Sequence, residues 1–145
     1  MSFKKKTIVV PIDFSGKSKQ AVQTACEVAE TPEAIHLVHV LLPLDAVSPG
    51  VVWGDITDDS RKDAIEKKFA QFIQDENLTG ATVEIRFGSP GGEIAEYADE
   101  VNAEIVVLSS HGYHGIKRML LGSVAEVVIR HVNCSVLVLR RSDAE

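Results

Sequence analysis

The sequence predicts an α/β fold: a single doubly wound open sheet of five mostly parallel strands, Rossmann-like, with helices on both faces. Three observations lead to it. Short apolar, β-branched runs alternate with longer stretches whose apolar residues recur at helical spacing, in the order βαβ, long connection, αβαβαβ; regular alternation of this kind produces a parallel sheet. Four of the five strand candidates are nearly continuous in apolar residues, as a strand covered on both faces requires. The chain has 145 residues, 45% hydrophobic and 25% charged, so one core and one domain, residues 1–145, are expected.

The first strand runs from Thr7 to Ile12, a β-branched stretch brought to its end by Pro11, which has no N–H for a ladder. Asp13, Phe14, Ser15 and Gly16 form a turn. Ser15 or Ser18 is placed to cap a helix whose apolar positions are Ala21, Val22, Ala25, Val28 and Ala29. Thr31 and Pro32 end that helix, and Ala34 to Leu42 reads as a second strand, apolar except for His36 and His39. Between Pro43 and Asp59 lies a long connection holding the lone Trp53; its length suits a binding loop and a packed irregular segment equally. From Ser60 to Glu76 a charged helix carries an apolar stripe of Ile65, Phe69, Phe72 and Ile73.

Thr82 to Phe87 alternates, with Val83, Ile85 and Phe87 apolar and Thr82, Glu84 and Arg86 polar. One face is then wet, which places this strand at an edge. Ser89 as N-cap and Pro90 at the first helical position start the next helix, with Ile94, Ala98 and Val101 inward. An apolar run, Ile105 to Leu108, breaks into Ser109, Ser110, His111 and Gly112. Ser123 and Glu126 have the S-x-x-E form of a capping box, followed by an apolar face of Val124, Val127, Val128 and Val132. Ser135 to Leu139 is the last strand.

Composition excludes several classes of function. A formal net charge of −6 argues against a nucleic-acid footprint, which needs clustered Lys and Arg. No stretch approaches the roughly 20 apolar residues of a membrane span. The run after Lys4 to Lys6 turns polar too soon for a secretion signal, so a cytoplasmic location is expected. Cys26 and Cys134 lack a C-x-x-C partner and read as reduced, partly buried thiols. His111 with His114, and His131 with Cys134, lack the full ligand set of a zinc site, so no metal site is assigned. There is neither a G-x-S-x-G elbow nor a G-x-x-x-x-G-K-[ST] loop. No catalytic residue is assigned.

In an open sheet of this class a ligand binds beyond the carboxyl ends of the strands, where the strand order reverses. The two polar, turn-forming strand exits are Pro11 to Ser15 and Ser109 to Gly112. They are the natural flanks of such a pocket. A helix beginning at Gly122 and Ser123 would offer it unpaired backbone N–H groups and about half a unit of positive charge, which suits a phosphate. Lys117 and Arg118 read as a solvated loop face.

Pro11, Asp13 and Ser15 after the first strand, together with Ser110-His111-Gly112, nine further residues and Gly122-Ser123, resemble the universal stress protein family. The likeness extends over the whole chain, through Gly88-Ser89-Pro90 and the closing SVLVLR strand. It implies a fold like that of the adenine nucleotide alpha hydrolases. The family's ATP-binding branch carries a G-x-x-G-(nine residues)-G-S/T pattern. Gly112, Gly122 and Ser123 stand at its second, third and hydroxyl positions, and Ser109 replaces its first glycine. The resemblance gives the Gly112, Gly122 and Ser123 backbones to phosphates and ribose, sets Asp13 near the adenine or sugar, and makes Pro11 and Val40 walls of the base. With Ser15, Ser109, Ser110, His111 and Val124 these form the candidate site for ATP, AMP or ADP, with or without Mg. A regulatory or sensing ligand with at most slow hydrolysis is implied. Val136, Leu137, Val138 and Leu139 are apolar on both faces of a strand expected at an edge; an open apolar edge invites pairing. A homodimer through this strand is expected, and the resemblance implies the same arrangement.

Overall fold

Ile8, Val9 and Val10 expose none of their surface, so the strand they form, β1 (Ile8–Pro11), must be covered on both faces. It stands at the centre of a five-stranded parallel sheet in the order β3-β2-β1-β4-β5. Here β2 is Ile35–Leu41, β3 Thr82–Phe87, β4 Ile105–Ser109 and β5 Ser135–Leu139. The computed structural model describes residues 3–43, 57–110 and 122–140. The expected fold class is the observed one.

Four helices cover the sheet: α1 (Gly16–Val28), α2 (Asp58–Asp75), α3 (Pro90–Glu100) and α4 (Ser123–His131). The pleat sorts the side chains into two cores. Ile8, Val10, Leu37 and Val107 turn to one face, where Ala21, Val22 and Ala25 of α1 and Ile65 and Phe69 of α2 meet them. Val9, Val38, Val106 and Leu108 turn to the other, against Ile94 and Ala98 of α3 and Ala125 and Val128 of α4. Helical and strand periodicities in the sequence are what make this sorting possible.

Several boundaries differ from the sequence reading, and hydrogen bonding at the terminus accounts for two of them. Strand β2 starts at Ile35 because Pro32–Ala34 form a 3₁₀ turn. Helix α2 starts at Asp58: Thr57 is the N-cap, Ser60 N–H donates to Thr57 Oγ1 (3.0 Å), and Thr57 N–H donates to Ser60 Oγ (2.9 Å). The capping box assigned to Ser123 is corrected. Gly122 holds the extended N-cap position without a side-chain cap, and Ser123 is already inside the helix. Glu126 turns the other way, to Arg130 at 2.8 Å.

Strand β3 lies at the edge, as its alternation predicts, but its polar face is not simply solvated. Arg86 donates to Glu84 (2.8 Å) and Glu100 (2.7 Å), and its guanidinium lies 5.1 Å from the Tyr97 ring centroid. The strand is thereby tied to α3. At the opposite edge Leu137 and Leu139 of β5 pack into one core and Val136 into the other.

Helices α3 and α4 approach so closely that a Cβ built on Gly91 would fall 2.6 Å from Val127 Cβ. An alanine there gains roughly 1 kcal/mol of helix propensity, but the opposing atom is a branched Cβ that moves only with its backbone. Overpacking costs about 1–3 kcal/mol. Gly91→Ala is therefore expected to lower the urea midpoint at unchanged m-value, and Val127→Ala in the same chain, which removes the Cγ1 at 2.8 Å but keeps the Cβ, to restore little of it.

His36 Nδ1 pairs with the Tyr97 hydroxyl at 3.0 Å, and burial pushes its imidazole below the ordinary 6.5. The unfolded chain therefore takes up this proton first as the pH falls. Stability from neutral His36 is complete above the unfolded value and is lost as the pH drops below it, toward the folded value. Unfolding free energy is expected to fall from pH 7.5 to 5.5 less steeply in His36→Gln than in wild type, as read by urea melts at each pH.

Candidate functional site

The chain leaves β1 for α1 on one face of the sheet and leaves β4 for α4 on the other, so the strand order reverses between these neighbours. That is the ligand position expected of an open α/β sheet. Register explains why the gap opens there. β1 pairs with β4 only at Ile8 and Val9, while it stays in register with β2 to Pro11 and Val38. Ile12 N–H still bonds the Val38 carbonyl at 2.8 Å. Successive residues of a strand turn their backbone groups to alternate sides, so Pro11 presents its backbone to β4. Having no N–H, it offers that side no donor. Pro11 therefore ends the pairing with β4, not the strand's pairing with β2.

A cleft of about 220 Å³ occupies this place. Pro11, Val40, Ile94, Leu108 and Val124 supply apolar wall, and Asp13, Ser18, His39 and Ser109 supply polar groups. Five residues of the predicted site, Pro11, Asp13, Val40, Ser109 and Val124, are thus brought together from β1, β2, β4 and α4.

Asp13 is held on several sides. Its Oδ1 accepts from Ser15 N–H (2.9 Å), Ser15 Oγ (2.6 Å) and Ser18 Oγ (2.5 Å), and its own N–H donates to Ser18 Oγ (2.7 Å). Ser15 is the N-cap of α1, its hydroxyl accepting from Lys17 N–H at 3.2 Å. Between them, Phe14 has φ 64°, a left-handed conformation that a bulky side chain adopts only when its surroundings impose it. They do so here: the Phe14 ring meets Phe69 edge-on at 5.0 Å and His39 at 5.3 Å. His39 Nδ1 lies 2.6 Å from the Ile12 carbonyl; a carbonyl only accepts, so Nδ1 carries the proton.

On the β4 side, Ser109 is the last strand residue, in register with Leu139 and without a positive φ. A side chain fits there without backbone strain. Ser110 faces β5, its N–H donating to the Leu139 carbonyl at 2.9 Å and its hydroxyl to the same oxygen at 3.2 Å. Gly122 is buried at the start of α4, while Ser123 is exposed in the first turn. His111 and Gly112 lie outside the described residues, as does Trp53.

Ser18 and His39 were not assigned to the site from sequence. Ser18 reads as an alternative cap, and His39 as a polar interruption of a strand. The available signal for Ser18 was a hydroxyl within the first turn of a helix that Ser15 already caps.

Chemically the cleft offers an oriented carboxylate and an apolar slot, and Val124 in its wall belongs to the first turn of a helix that has no side-chain cap among the described residues. Neither free cysteine lines the cleft; partial desolvation, with Asp99 near Cys134 and Glu76 near Cys26, pushes both thiols up. Cys26 is exposed, not partly buried as expected. Among the described residues no His, Cys, Asp and Glu group could hold a metal ion, and no helix is long and apolar enough to cross a membrane.

Comparison with known proteins agrees with this geometry. The sequence model of the universal stress protein family matches residues 5–140. Universal stress protein G of Escherichia coli O157:H7 is 33% identical over 93% of this chain and 99% of its own. A universal stress protein of Methanocaldococcus jannaschii is 31% identical over 97% of this chain and 85% of its own. Among solved structures, a universal stress protein UspA from Lactobacillus plantarum has a TM-score of 0.70 at 22% identity, covering 94% of this chain and 99% of that one. A universal stress protein solved in complex with cAMP has a TM-score of 0.65 at 24% identity, covering 96% and 99%. The structural likenesses establish the common fold; the match from residue 5 to residue 140, with a third of the residues shared with a nearly full-length relative, places this chain in the universal stress protein family.

Proposed function

We propose that the protein binds an adenine nucleotide, ATP or its mono- or diphosphate, as a regulatory or sensing ligand in a stress response. The observation that carries this reading is the cleft at the β1/β4 reversal, with the restrained Asp13 at one side and Val124, in the first turn of α4, at the other. The structural relative in complex with cAMP supports an adenine nucleotide in such a fold.

In this reading Pro11 and Val40 wall the base, and Val124 lines the cleft from the first turn of α4. Asp13 accepts from a sugar hydroxyl or from the base, with Ser15 holding it. Ser109 and the backbones of His111, Gly112, Gly122 and Ser123 line the path of the phosphates, while Ser110 ties the β4 exit to β5. The α4 N-terminus supplies about half a unit of positive charge, and Mg neutralises more of a triphosphate where it is present. A carboxylate committed to hydroxyls is a poor general base, so hydrolysis is at most slow. The protein works in the cytoplasm as one domain of residues 1–145, paired as a homodimer along β5, with Val136, Leu137, Val138 and Leu139 at the junction.

Protein purified without added ligand and then denatured is expected to release adenine nucleotide, and titration calorimetry of stripped protein with magnesium ATP to give binding. Gly122→Val, which puts bulk at the buried start of α4, should abolish the heat. The absence of both bound nucleotide and heat at millimolar ATP would favour an interaction protein of the same fold that takes no nucleotide, a reading to which Ser109 in the glycine position lends some support.

The dimer has its own test. Among the described residues Val138 is half-buried and belongs to neither core, unlike Val136, Leu137 and Leu139, so it is the β5 position where a charge disturbs the chain's own packing least. Wild type is expected to scatter light as about twice 15.8 kDa and Val138→Glu as a folded 15.8 kDa chain; a wild-type monomer, or a dimer indifferent to Val138→Glu, contradicts pairing along β5.

A further inference from the structure

Ser18 is the buried polar side chain among the described residues, 4% exposed on a helix face otherwise made of Ala21, Val22 and Ala25. The one backbone group of the α1 entry that this hydroxyl serves is the Asp13 N–H. Ser15 already caps the helix, and alanine at position 18 would favour the helix more and bury no polar group. Yet Ser18 commits its hydroxyl to one neighbour in both senses, accepting from Asp13 N–H at 2.7 Å and donating to Asp13 Oδ1 at 2.5 Å. A single group thus fixes the main chain and the carboxylate of the same residue, and the second bond is of the strong, charge-assisted kind.

The residues on either side are pinned as well. The Ile12 carbonyl is held by His39, and Phe14 is kept left-handed by Phe69 and His39. Strain and redundant restraint of this sort are found where geometry serves a ligand.

We propose that Ser18 is a positioning residue of the cleft: its buried hydroxyl sets the direction of the Asp13 carboxylate before the ligand arrives. This rests on the nucleotide reading above and adds to it a pre-organised carboxylate, so that binding does not have to freeze Asp13.

The test is a double-mutant cycle with magnesium ATP, accompanied by a measurement that needs no ligand. Ser18→Ala is expected to keep its thermal unfolding cooperative and to bind ATP roughly tenfold more weakly, the effect of one hydrogen bond to a charged group. In an Asp13→Ala background the same change should alter affinity by less than about twofold, because the group through which Ser18 acts is gone. Unchanged affinity in Ser18→Ala, or equal losses in both backgrounds, overturns the proposal; the second result would mean that Ser18 touches the ligand itself or acts through the general fold.

Side-chain ¹³C couplings of Asp13 in ligand-free protein are expected to report one χ1 rotamer in wild type and an average in Ser18→Ala. One rotamer in both overturns the proposal whatever the affinities, and this comparison decides if Asp13→Ala binds no ATP at all. A wild-type chain that binds no nucleotide overturns the nucleotide reading instead, while the rotamers still decide whether Ser18 orients Asp13.

Discussion

Two parallel strands that stay paired along their whole length leave no room between them, and the site depends on β1 and β4 parting early. Pro11 is the reason. Its missing N–H faces β4, so the ladder between these strands ends at Val9 and Val106, while β1 continues beside β2 and β4 beside β5. The chains then leave for opposite faces of the sheet, since α1 packs on one and α4 on the other. A cleft at that point is a consequence of topology and of one absent hydrogen bond. What distinguishes this cleft is the set of side chains at its two lips.

The lip at β1 is rigid to an unusual degree for a strand-to-helix turn. A left-handed phenylalanine costs on the order of 1–3 kcal/mol, and the turn recovers it through the Phe14, Phe69 and Phe72 cluster and the several bonds to Asp13. The lip at β4 is built differently. Ser109 is ordinary strand, and Ser110 is directed at the neighbouring strand rather than into the gap. One side of the cleft is thus a restrained carboxylate, and the other is plain strand that gives the cleft Ser109 and turns Ser110 to β5. The proposed nucleotide would set a hydroxyl donor against Asp13 and its phosphates toward the first turn of α4.

The fold was legible because its determinants are local. Alternation in Thr82 to Phe87 marks an edge strand, continuous apolar runs mark covered strands, and the stripe of Ile65, Phe69, Phe72 and Ile73 marks a helix face; each is a pattern within one element. Pro11, Asp13, Val40, Ser109 and Val124 were assigned to one site through the family likeness, and they do line one cleft. What stayed hidden was either a matter of a single residue or a matter of distance. Ser123 and Glu126 satisfy the letters of a capping box, but the helix begins with Gly122 as its cap, and only backbone conformation shows that. His39 and the Ile12 carbonyl are 27 residues apart, and His36 and Tyr97 are 61 apart. No periodicity within an element encodes such pairs; they exist only once the sheet order is set.

The two sheet edges complete the physical picture. At β3, Glu84 and Arg86 place charge along the exposed strand, and α3 answers with Glu93 and Glu100. An edge so defended resists a further strand. At β5, Val136 to Leu139 are apolar without interruption, and the described residues set no comparable ion pair on them. A sheet that invests charge at one end and leaves the other apolar is asymmetric in a way that folding of a lone chain does not require. This asymmetry is the physical ground for placing the second copy along β5. Ser110 bonds the Leu139 carbonyl twice over, so the lip of the cleft and the proposed dimer strand meet at one oxygen atom.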